Sequence, residues 1–69
     1  MPTVMAAPAR TPYGLSVPAV GGPRDGKTLA CSPATSFLAD AGRYHVYRCR
    51  WIRGRWVMRY QGLRVHPAL

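Results

Sequence analysis

A two-residue turn at Arg53-Gly54 sorts residues 43–62 into two chemically unlike faces, and this pattern constrains the fold more than any other feature of the chain. The segment reads Arg43-Tyr-His-Val-Tyr-Arg-Cys-Arg-Trp-Ile-Arg-Gly-Arg-Trp-Val-Met-Arg-Tyr-Gln-Gly62. With the turn at that position, Ile52 faces Arg55, Trp51 faces Trp56, Arg50 faces Val57 and Cys49 faces Met58. Further out, Arg48 faces Arg59 and Tyr47 faces Tyr60. Side chains alternate across a strand, so one face collects Trp51, Trp56, Cys49, Met58, Tyr47 and Tyr60. The other collects Ile52, Arg55, Arg50, Val57, Arg48 and Arg59. A slip of one residue would set Met58 and Tyr60 opposite arginines and destroy the segregation. This register also places the Trp51/Trp56 pair where side chains approach most closely, and aromatic pairs there contribute roughly 0.5–1 kcal/mol.

The basic face raises the functional question. Arg48 and Arg59 oppose each other with no acid nearby in sequence, and directly opposed like charges destabilise a hairpin. Two readings stand open. The arginines splay into water with their stems over Val46 and Val57, or an anionic partner lies across them. The net charge of +8 and pI near 10.9 favour acidic partners. Seven of the ten basic residues fall between Arg43 and Arg64, and only Asp25 and Asp40 oppose the ten. Nine of the ten are arginine, which suits bidentate contact with carboxylate or phosphate.

Sixty-nine residues make one small domain, and a core of that size supplies only about 3–5 kcal/mol. No charged start precedes an apolar run, and nothing approaches the roughly 20 apolar residues of a membrane span. The expectation is a protein that is neither secreted nor membrane-spanning, either cytoplasmic or bound to an assembly. Cys31 and Cys49 are then expected as reduced core residues, with a Cys31–Cys49 disulfide in an oxidising setting as the alternative.

Residues 1–23 read as an extended, Pro-rich N-terminal arm, with residues 24–69 as a small β domain that holds hairpin 43–62. Pro2, Pro8, Pro12, Pro18 and Pro23 recur every four to six residues, which excludes helix. Apolar Val4, Tyr13, Leu15 and Val17 gain little in isolation and much on another surface, so they are the expected arm contacts. Gly21 to Gly26 is dense turn chemistry. Thr28 to Cys31 reads as a short strand, Ser32 to Ser36 as loop or one helical turn, and Phe37-Leu38 as core. Residues 63–65 extend the last strand. The expected fold is mostly β: a three- to four-stranded antiparallel sheet with its Trp/Tyr/Met face covered by Leu29, Phe37 and Leu38.

Gly21-Gly-Pro-Arg-Asp-Gly26-Lys27-Thr28 matches the phosphate-loop pattern G-x-x-x-x-G-K-[ST] in full. Such loops cradle phosphate with backbone N–H groups and open a helix. Here Pro33 precludes that helix and Pro23 removes one donor, so a turn entering a strand is the better reading. His45 and Cys49 share a strand face but stand roughly 13 Å apart, too far to share zinc. No metal, cofactor, catalytic residue or small-molecule substrate is expected, and a cysteine–histidine nucleophile has no third orienting residue. Aromatics and arginines fall on opposite faces, so nucleic-acid contact without base stacking would be sequence-independent and salt-sensitive.

With the turn Gly21-Gly22-Pro23-Arg24-Asp25-Gly26-Lys27-Thr28, the Gly42-Arg43-Tyr44 strand start and the Trp-rich strand pair, the chain resembles a loose group of small uncharacterised proteins from actinobacteria and their tailed phages. The resemblance covers residues 21–62 and implies a small β-protein of phage or actinobacterial origin, with no activity to carry over. The functional expectation is non-enzymatic: a phage virion accessory, either capsid decoration or minor structural protein, that docks on a larger assembly with an acidic, capsid-like surface. Its arm would supply apolar contacts, and Arg48, Arg50, Arg53, Arg55 and Arg59 would supply ion pairs. The alternative is a small basic nucleic-acid-binding protein or a phage-encoded inhibitor of a host nucleic-acid machine.

Overall fold

The computed structural model describes residues 10–66. Five strands dominate them: β1 Ser16–Val20, β2 Thr28–Ala30, β3 Ala34–Leu38, β4 Tyr44–Ile52 and β5 Arg55–Arg64. They form one curled sheet in the order β2-β1-β5-β4-β3. The sheet is mixed: β1 runs parallel to β5, and every other pair is antiparallel. The expected three to four antiparallel strands are thus corrected to five, with one parallel contact.

The long hairpin adopts the register counted from the sequence, from Ile52↔Arg55 through Tyr47↔Tyr60. Arg53 and Gly54 have φ of 52° and 80°. Positive φ at both central residues is the type I′ geometry, whose twist matches the flanking strands. Beyond Tyr60 the register jumps, so that Val46 faces Gly62 and His45 faces Leu63. Gln61 is the extra residue of this bulge, and Gly62 takes φ of 100°, open to glycine at little cost. His45 stays on the aromatic face through the alternation of β4 itself.

The additional strands come from segments read as arm and loop. In β1, Val17 and Ala19 turn inward and retain only 7% and 2% exposure. Val17 is therefore a core residue and not an arm contact, and residues 16–20 belong to the sheet. Pro18 would ordinarily exclude an internal strand. It is tolerated because it faces Thr28, between the Cys31-to-Leu15 and Ala19-to-Lys27 bonds, where β2 requires no N–H from it. Pairing with β5 begins only at Ala19. β3 pairs with β4 from Ala34↔Arg48 to Leu38↔Tyr44. Phe37 packs against the core, whereas Leu38 is 65% exposed, which corrects its placement inside.

One face of the curled sheet forms the core. Tyr47 and Met58 are fully buried, with Val17, Ala19 and Cys31 beside them. Each such large side chain contributes about 1.5–3 kcal/mol on burial. Leu29, Phe37, Cys49, Trp56 and Tyr60 pack around this centre. No helix among the described residues is long and apolar enough to cross a membrane.

Candidate partner-binding face

The opposite face of the sheet carries the charge. Arg48 stands across from Arg59 on β5 and from Ala34 on β3. Arg50 lies across from Val57, and Arg55 across from Ile52. Arg53 projects from the hairpin turn, so the five arginines singled out from sequence share one surface. Val46 and Val57 also point this way, yet each is only 1% exposed. Val57 has Arg55 and Arg59 along its strand and Arg50 across from it, and Val46 has Arg48 along its strand. The aliphatic stems of these arginines can cover the valines while the heads stay in water. Arg50, Arg53, Arg55 and Arg59 are exposed, and Arg48 is half-buried.

Arg48 is the electrostatically costly residue. Its Nε is buried with no hydrogen-bond partner among the described residues. An unsatisfied buried donor costs about 1–3 kcal/mol, more for a charged group. The two aspartates lie elsewhere. Asp25 Oδ1 accepts the Gly21 N–H at 2.7 Å, and Asp40 borders a separate depression with Arg24, Phe37 and His45.

A groove of about 370 Å³ runs along the basic face, bordered by Val20, Ile52, Arg53, Arg55, Val57 and Arg59. Its floor is apolar and its rim is cationic. Val20 reaches it because the parallel β1–β5 contact sets Val20 beside Arg59. The groove thus combines the hairpin with a strand whose participation the proline pattern concealed.

The aromatic face points inward. Tyr47 and Tyr60 rings lie 5.1 Å apart, Phe37 stacks on Tyr47 at 6.2 Å, and His45 sits between Phe37 and Tyr60. His45 Nδ1 is hydrogen-bonded to the Tyr60 hydroxyl at 2.7 Å. Trp51 and Trp56 make an edge-on pair at 5.3 Å and are half-buried. Tyr47 presents no surface to a base, and the aromatic residue that strand alternation sets on the arginine side is half-buried Tyr44, at the far end of β4 from the hairpin turn.

The phosphate-loop-like segment proves to be a clasp over the core. Gly22–Arg24 forms a 3₁₀ turn. The Asp25 N–H donates to Gly22 O, Gly26 N–H to Ala19 O and Lys27 N–H to Arg24 O. The Arg24 N–H donates to the Tyr47 hydroxyl at 2.9 Å, and that hydroxyl donates to Gly21 O at 2.6 Å. Arg24 lies over the Phe37 ring at 5.1 Å. Backbone donors that a phosphate cradle would direct at an anion are spent inside the fold.

Of the expected arm contacts, Tyr13 and Leu15 are 58% and 65% exposed, Val17 is in the core, and Val4 lies outside the described residues. His45 and Cys49 do not converge on a common site, and no group of three or more His, Cys, Asp or Glu that could hold a metal occurs among the described residues. Cys49 instead meets Cys31, with their Sγ atoms 2.9 Å apart. Burial, then the Cys31 hydrogen bond and charge, push the Cys49 thiol from 9.0 up to about 12, with Arg50 opposing. The folded chain therefore holds a proton that the unfolded chain releases above pH 9. That contribution is complete below pH 9 and is lost as pH climbs toward 12. Urea unfolding at stepped pH should show stability falling more steeply over this window in the native chain than in a Cys49→Ala variant. Equal slopes would remove Cys49 as the cause.

Comparison with protein-family models, curated proteins and solved structures gives no match to this chain.

Proposed function

We propose that the chain is a non-enzymatic docking protein whose arginine face seats an acidic, partly apolar segment of a larger protein assembly. The observation that carries this reading is the Arg48/Arg59 opposition, with Arg48 Nε buried and unpartnered among the described residues. An isolated chain gains nothing from this arrangement, whereas an arriving carboxylate would satisfy the donor and relieve the repulsion. The groove adds the second element, since Val20, Ile52 and Val57 offer apolar contact between arginine rims. A phage particle is the assembly that the sequence resemblance implies, and exposed Tyr13 and Leu15 would extend the contact from the arm side.

Nucleic acid is the alternative partner, because the same arginines would hold phosphate. The inward aromatic face weighs against it, for without stacking only phosphate contact remains. Fluorescence anisotropy with two labelled probes separates the two. One is a peptide alternating Glu with Val, and the other is random-sequence DNA in duplex and single-stranded form. Peptide binding that persists at physiological salt and drops at least tenfold in the Arg48→Glu/Arg59→Glu variant is the expected result. Micromolar DNA binding at physiological salt with no peptide binding would overturn the proposal in favour of the alternative.

A further inference from the structure

We infer that Cys31 and Cys49 are a latch: on meeting a low-molecular-weight disulfide they form an intramolecular bond that fastens the β1–β2 hairpin to β4. These are the chain's two cysteines, and both are free thiols. Their Sγ atoms, 2.9 Å apart, stand less than 1 Å beyond the roughly 2.05 Å of a formed bond. Each is held by backbone on its own side. The Cys31 N–H donates to Leu15 O at 2.7 Å and its carbonyl accepts the Gly14 N–H at 2.9 Å, while Cys49 lies mid-strand opposite Met58. Both side chains meet in the core, so the two sulfurs face each other from strands already in place.

The position is where a fastening matters. The β1–β2 hairpin pairs with the rest of the sheet at two parallel positions, Ala19↔Met58 and Val20↔Arg59, and its turn is held to β4 through the Tyr47 hydroxyl. β4 and β5, by contrast, are paired along their whole length. Cys31 follows β2 at the far edge of the sheet and touches β4 because the sheet curls. A bond there closes residues 32–48 into a loop and turns a contact between sheet edges into a covalent closure.

The chemistry balances as thiol–disulfide exchange. One cysteine thiolate attacks a sulfur of the small disulfide R–S–S–R and expels R–S⁻, which takes up a proton. The second cysteine, deprotonated in turn, attacks the mixed disulfide at the protein sulfur and expels the second R–S⁻. Two protein thiols are oxidised to one disulfide, and one small disulfide is reduced to two small thiols. Cys31 is only 2% exposed and the Cys49 thiol is held protonated by burial, so exchange proceeds through transient opening of the hairpin and quickens with rising pH.

The test incubates the full chain with oxidised glutathione, against a dithiothreitol-treated control. Expected are a loss of two hydrogen masses with no adduct, disappearance of both thiols on denaturing titration, and a monomer on non-reducing gels. The Tm should rise by roughly 10–20 °C, and amide exchange over residues 16–30 should slow at least tenfold. The Cys31→Ala/Cys49→Ala variant, which keeps the strands and loses only the sulfurs, should give no Tm response to the oxidant. Persistent glutathione adducts, disulfide-linked dimers, or an internal bond that leaves Tm and exchange unchanged would each overturn the inference.

Discussion

Replacing Gly22 with alanine should cost on the order of 3 kcal/mol and leave the chain largely unfolded at 37 °C. A Cβ at this position would fall 2.6 Å from Cγ and Cδ1 of Tyr60 and 2.7 Å from the Tyr47 hydroxyl. Neither ring can retreat. Tyr47 is fully buried, and Tyr60 is fixed between it and His45. Gly22 also has φ of 65°, so alanine adds backbone strain to the clash. A core of this size holds about 3–5 kcal/mol in total, which leaves little margin. Gly26→Ala is the matched control: the same turn and φ of 81°, with nothing within 4 Å of an added Cβ. It should cost only about 1 kcal/mol. Urea denaturation followed by tryptophan fluorescence measures both, and equal losses would show that backbone conformation, not the tyrosine contact, sets the requirement for glycine.

Tyr47→Phe should be the most damaging single-atom change, at about 2–3 kcal/mol. The phenylalanine ring keeps the stacking on Phe37 and the contact with Tyr60. What disappears is one hydroxyl that serves two backbone groups, donating to Gly21 O at 2.6 Å and accepting from the Arg24 N–H at 2.9 Å. Both groups would then lose their partner at a partly buried site, where an orphaned polar group costs more than a hydrogen bond gains. Tyr60→Phe loses only the bond to His45 Nδ1 at a half-buried site, so about 1 kcal/mol is expected. Chemical denaturation of the two variants side by side decides the matter. A Tyr47→Phe loss no larger than that of Tyr60→Phe would mean that solvent reaches the clasp.

The hairpin was legible residue by residue because two local signals agree there. Strict alternation fixes which side chains share a face, and Arg53-Gly54 fixes where the chain reverses, so every pair from Ile52↔Arg55 to Tyr47↔Tyr60 follows. The arginine face comes with that register. β1 was concealed because Pro18 signals against an internal strand, and only the one-sided pairing at that residue makes it acceptable. β3 was concealed by the Ser32-Pro33 loop chemistry ahead of it. Val20 in the groove and the buried Nε of Arg48 depend on contacts between segments far apart in the chain, which no local pattern announces. The Gly21–Thr28 motif is legible as a turn from its glycines and proline, but its attachment to Tyr47 depends on where the ring lies.

The single parallel contact between β1 and β5 has a consequence in time. Ala19 can find Met58 only after β5 has been synthesised, whereas the β4–β5 hairpin closes through neighbours within microseconds. On the ribosome β1 therefore emerges early with β2 as its available partner and waits with one edge unpaired and with Val17 and Ala19 uncovered. Assembly runs backwards relative to synthesis: the hairpin condenses first and recruits the older strand onto its flank. Such non-local closure is the slow step of β-rich folding, so the interval before β1 docks is when this chain is most open to capture by a chaperone or to pairing with another copy of itself.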